Sequence, residues 1–207
     1  MHPALFYRPG ERLSLPELSA ARLDGDVVEV GDGYMPADTV EEPAARAFSL
    51  ARLAPAGTAL SGASAAWVHG AGDQPPAVHH ITRISASRQR VEFSTRVVHH
   101  ERCLAVEDVQ MVGGVRVATA VSTAASLLFS SARASEDERW LRALIAVTPG
   151  LAGDLRRRVT DPVRRPGAQH ARRLLGELCA PPDALDGAPD GARDGRPPRA
   201  RCVVRRS

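Results

Sequence analysis

Lysine is absent from the 207 residues, and all 27 basic side chains are arginine. That excludes the lysine of a P-loop, and no G-x-G-x-x-G segment replaces it, so a nucleotide phosphate cradle is not expected. An all-arginine complement is what a GC-rich coding bias produces, and a single arginine therefore carries little functional weight. Aromatics are also scarce: four Phe, two Trp and two Tyr. A core must then come mainly from Ala, Val and Leu. The three cysteines, Cys103, Cys179 and Cys202, show none of the paired spacings of a zinc ribbon or a disulfide framework, and reduced thiols are expected. No run approaches the roughly 20 apolar residues of a membrane span. The start, MHPALFYRPG, has neither the basic nor the apolar region of a signal peptide. A soluble, cytoplasmic protein with no membrane partner is the expectation.

The net charge of +3 is unevenly placed. Residues 1–150 hold 14 arginines against 17 acids, whereas residues 151–207 hold 13 against 7. A basic surface belongs to the C-terminal part. The first 42 residues are the opposite, with only Arg8, Arg12 and Arg22 against nine acids. Such a surface repels a phosphate backbone.

Along the chain, SLPELSAARLDGD from Ser14 has an N-cap serine, Pro and Glu in the first turn, Leu15, Leu18 and Leu23 at near-helical spacing, and Asp24-Gly25 as a stop. It predicts a short helix. In VVEVGDGYMPA two apolar stretches flank Gly31-Asp32-Gly33, which predicts a β-hairpin. A helix running into a hairpin is how a winged helix ends, the hairpin being the wing. EEPAARAFSLARL (41–53) reads as a helix and TAL as a short strand. PAVHHITRIS and VEFSTRVVHH read as strands joined by a polar loop over 86–90, and a second hairpin turns at Gly113-Gly114. Helices are predicted near 121–132, 135–147, 149–159 and 166–179, punctuated by Pro149, Pro162 and Pro166. From Pro181 onward the chain is Pro, Gly, Asp and Arg with little to bury, and a disordered tail is expected.

The segment ALSGASAAWVHG (59–70) raises the question of an active site. LSGAS lacks the flanking glycines of the G-x-S-x-G turn, and no acid and positioned base lie nearby. Ser61 reads better as a helix cap, Ala63, Ala66 and Trp67 as core-facing residues, and Gly70 as the helix stop. His79-His80 and His99-His100 fall on the two strands, with Cys103 close by. Side chains alternate along a strand, so one histidine of each pair at most can share a face. A metal-dependent hydrolase through His79, His99 and Cys103 is the weakest of the readings considered, because no carboxylate completes the set. The densest basic run is RRRVTDPVRRPGAQHARR (156–173), seven arginines and a histidine against Asp161. Such a cluster binds phosphates or forms a solvated helix face, and composition leaves both open.

The order of these segments carries a resemblance. The helix and wing ending in GYMPAD, then TALSGASAAWVHG, PAVHHIT and RVVHHERCLAVEDVQMVGGVRVATAVSTAASLL, together about residues 13–178, resemble the AbiEi family of antitoxins from type IV toxin–antitoxin systems. The resemblance implies a winged helix-turn-helix followed by an α/β antitoxin domain. It also implies binding to operator DNA and opposition to a nucleotidyltransferase toxin without a stable complex. Few residues precede Ser14, so the winged helix is expected to be truncated.

The resulting expectation is an α+β protein: a truncated winged-helix segment (1–40), an antitoxin-like α/β domain with a helical C-terminal portion (41–179) and a disordered tail (180–207). Its expected role is that of a non-enzymatic transcriptional regulator, with no catalytic residue, metal or cofactor. DNA contacts are expected at Arg22, Arg156, Arg157, Arg158, Arg164, Arg165, Arg172 and Arg173. The alternative is a protein-interaction or structural module that has lost DNA binding.

Overall fold

The computed structural model describes residues 5–84, 94–159 and 167–178. The expected tail over 180–207 lies outside the described residues. The fold is α+β, as expected.

Helix α1 (Leu15–Asp24) forms where the cap signals place it. The Ser14 hydroxyl accepts from the Glu17 amide, and the Glu17 carboxylate accepts in return from the Ser14 amide at 2.7 Å. This reciprocal arrangement satisfies two amides that lack helical partners. Gly25, at φ +85°, ends the helix in the left-handed region. Of the three leucines only Leu18 is buried; Leu15 and Leu23 are exposed. Leu18 packs with Val27 and Tyr34 into a small cluster under the helix.

Strands β1 (Val27–Val30) and β2 (Gly33–Pro36) pair antiparallel around a two-residue loop, Gly31-Asp32. Gly31 takes φ +55° and Asp32 does not share its positive φ, the pattern of a II′ turn. The inner residues of this hairpin, Val30 and Met35, enter the main core along with Phe6. The hairpin is therefore laid against the rest of the protein.

Helix α2 (Pro43–Ser49) is shorter than the predicted span, and its last residues tighten into a 3₁₀ turn at Ala51–Leu53. Five strands follow: β3 (Thr58–Leu60), β4 (His79–Arg83), β5 (Val97–Cys103), β6 (Val109–Val112) and β7 (Val115–Ala118). They form one sheet in the order β5-β4-β3-β7-β6. β4 and β5 are successive in sequence yet pair parallel, with a bulge between Thr82 and Arg83. A parallel pair needs a crossover of about a dozen residues between its strands, and the polar loop expected over 86–90 lies outside the described residues. β6 and β7 form the second expected hairpin, and both loop glycines, Gly113 and Gly114, have positive φ.

Helix α3 (Gly62–Val68) lies at the centre, with all seven residues buried. The sheet and helices α2, α4 (Ala120–Ser130) and α5 (Ser135–Val147) all pack on it. A helix enclosed on every side must be apolar or small all round, which accounts for the alanine and serine content of GASAAWV. Trp67 is fully buried, and the Arg46 guanidinium lies 5.1 Å from its ring centroid. Helices α6 (Leu151–Val159) and α7 (Ala168–Leu178) pack against α4, burying Leu151, Leu155, Ala171 and Leu174.

Candidate functional site

The capping role read for Ser61 does not hold. Ser61 occupies the N-cap position of α3, but its side chain makes no capping bond. Gly62 opens the helix at φ +51°, and the Ser61 hydroxyl accepts a 2.7 Å bond from Thr82 on the neighbouring strand. The positive φ turns the chain so sharply that the hydroxyl faces the sheet. Gly62 is also confined, since a Cβ there would lie 3.3 Å from the Cβ of His80. Gly70, at φ +99°, does follow the helix end as expected.

The histidines divide by strand alternation. His79 is buried, and its Nδ1 lies 3.3 Å from the Ser64 hydroxyl, which also accepts from the His80 amide. Burial lowers the His79 pKa, with the nearby Asp32 carboxylate opposing. His69 donates from Nε2 to the Ala118 carbonyl at 2.7 Å, tying α3 to β7, and burial lowers its pKa against that bond.

The two histidines that meet are His80 and His100, Nδ1 to Nε2 at 2.9 Å. Their ring centroids are 5.2 Å apart and their planes differ by 17°. The centroid separation exceeds the N···N distance by about two ring radii, so the imidazoles meet end to end and share one proton. Burial lowers the pKa of both. Asp137 opposes the shift at both rings, and Glu136 does so at His80. His99 occupies the alternate position on β5 and Cys103 is exposed, its Sγ 3.6 Å from the Leu104 carbonyl. His79, His99 and Cys103 are not brought together as a ligand set: among the described residues no group of three or more His, Cys, Asp or Glu side chains is placed to hold a metal ion.

Beside the histidine pair a cleft of about 330 Å³ opens between β5, α4 and α6. His100 and Arg102 line its sheet side, Ser122 and Ser126 its α4 side. Asp108 and Arg158 form a further wall, joined by contacts from Arg158 Nη2 to both carboxylate oxygens at 2.6 and 2.7 Å. Sequence reading assigned no role to Arg102, Ser122 or Ser126. Ser122 and Ser126 are one helical turn apart, so that spacing was the signal available; the strand facing them had none.

The arginines expected at DNA are dispersed. Arg22 is exposed on α1, 3.7 Å from Glu29 of β1. Arg156, Arg157 and Arg158 are exposed on α6; Arg157 pairs with Asp154, and Arg158 with Asp108. Arg172 and Arg173 are exposed on α7, the latter 3.7 Å from Glu177. Arg164 and Arg165 lie outside the described residues. Arg22 sits apart from the rest, because α1 packs on the hairpin while α6 and α7 pack on α4. The hairpin tip is engaged as well: Asp32 accepts a 2.6 Å bond from Arg96. No helix of the described residues is long and apolar enough to cross a membrane. No family model matches the chain, and no curated protein matches it.

Proposed function

We propose that the chain is an AbiEi-like antitoxin, a non-enzymatic cytoplasmic regulator that binds its own operator and opposes a nucleotidyltransferase toxin without forming a stable complex with it. The observation that carries this reading is the succession of a capped helix, a two-residue hairpin and a mixed sheet enclosing the SGASAAWVHG helix. That is the order of parts the sequence resemblance implies. Binding to DNA rests on the arginines of α6 and α7 with Arg164 and Arg165 between them. It does not rest on the wing, whose tip is a carboxylate held by Arg96. Phosphate contacts by such arginines give affinity that falls steeply with salt.

A second reading, a protein-contact module without DNA binding, is favoured by one group of observations. Arg22, Arg157, Arg158 and Arg173 each have a carboxylate partner, which reduces the positive field available to a phosphate. A gel-shift titration of the full chain on the DNA upstream of its own gene, over a salt series, separates the two. Binding at low salt that weakens as salt rises supports the regulator. No shift at the lowest salt favours the contact module.

A further inference from the structure

We propose that the cleft between β5, α4 and α6 is a binding site for a phosphate monoester. On its sheet side Arg102 is exposed and has no ion-pair partner among the described residues. His100 beside it has its Nε2 committed to His80, and its other ring nitrogen remains for a ligand. Across the cleft the Ser122 and Ser126 hydroxyls have no hydrogen-bond partner among the described residues, and both belong to the lining.

Charge decides the sign of the ligand. Asp108 is the carboxylate of the lining, and Arg158 neutralises it through both oxygens. Arg102 therefore leaves the cleft with a net positive charge. An arginine fork and two hydroxyls, joined by the His100 Nδ1–H when His80 donates the shared proton, offer more donors than the two oxygens of a carboxylate can use, whereas the three terminal oxygens of a phosphate monoester can accept them all. Ala118, Ala125, Phe129 and Val159 also line the cleft, giving apolar surface to the group that carries the phosphate. The volume is at the lower end of the range for small-molecule sites. The ligand is thus a small phosphorylated molecule or free phosphate.

The test is calorimetric titration of the full chain, without DNA, using inorganic phosphate and adenosine 5′-monophosphate as probes. Saturable one-to-one binding of the nucleotide, displaced by inorganic phosphate, is the expected result. Arg102→Ala is expected to weaken both probes by about tenfold or more, and Arg52→Ala, outside the cleft, to leave them unchanged. Ser126→Ala, at an exposed helix position, is expected to weaken them a few-fold and provides a second readout should the arginine variant not fold. Binding of inorganic phosphate alone supports the site and identifies the free ion as its ligand. Nucleotide binding that phosphate does not displace overturns the proposal. So does the absence of saturable binding to either probe at millimolar concentration, or affinity that survives both Arg102→Ala and Ser126→Ala.

Discussion

At the scale of single residues, Trp67 is the largest fully buried side chain among the described residues. It is fully buried in a core that has few aromatics, beneath the Arg46 guanidinium and against the hairpin turn. Trp67→Ala is expected to cost about 3–5 kcal/mol of unfolding free energy, measured by urea denaturation. Arg158 bears on stability through charge instead. It is one of the expected DNA contacts, and its bonds to the largely buried Asp108 also tie α6 to the residue that precedes β6. Arg158→Ala leaves that carboxylate without its charged partner and is expected to cost about 1–3 kcal/mol. The same denaturation experiment checks it, and unchanged stability would mean that this ion pair does not support the fold. The histidines set the pH response. His69, His79, His80, His99 and His100 are all held below their ordinary pKa of 6.5, with burial the first cause in each. The folded chain therefore binds fewer protons than the unfolded one through this range. Their contribution to stability is complete above about pH 6.5 and declines as pH falls through the depressed values. The urea midpoint is expected to drop between about pH 7.5 and pH 5.5; a midpoint that stays level or rises would contradict these environments.

At the scale of elements, helix ends and two-residue hairpins were legible because their signals are local. Ser14, Glu17 and Gly25 specify α1 through three backbone needs, and the glycines at 31, 113 and 114 mark turns that other residues enter only with strain. Local signals were silent on pairing. Nothing in PAVHHITRIS or VEFSTRVVHH says that these strands run parallel, and only that register places His80 beside His100 rather than His79 beside His99. The Ser61 cap was misread for a related reason: a serine before a helix is a cap only when the backbone turns appropriately, and Gly62 at φ +51° turns it another way. The second hairpin offers a direct comparison. A Cβ at Gly113 would lie 2.5 Å from the Ala44 carbonyl oxygen, while one at Gly114 would meet nothing within 4 Å. Both take positive φ, so Gly114→Ala carries backbone strain alone, on the order of 1 kcal/mol. Gly113→Ala adds a clash with the backbone of α2 and is expected to cost clearly more. Equal denaturation midpoints for the two variants would mean that the hairpin does not dock on α2.

At the scale of the whole molecule, charge asymmetry was visible in the sequence but its consequence was not. The arginine-rich run divides between α6 and α7, with residues 160–166 outside the described structure, and several of its members meet carboxylates that lie three or four residues away or on another element. The first hairpin also changes meaning at this scale. Its Val30 and Met35 share the core of the sheet, and its tip is held by Arg96, so the acidic N-terminal surface is built into the body of the protein. The regulator account therefore places DNA contact at the C-terminal helices. The most direct test compares the salt dependence of operator binding for the natural chain and for the Arg156→Ala, Arg172→Ala double variant. The account predicts weaker binding by the variant and a logarithmic salt slope shallower by about one unit per phosphate contact removed. An unchanged slope and affinity, or no binding by the natural chain at low salt, would contradict it.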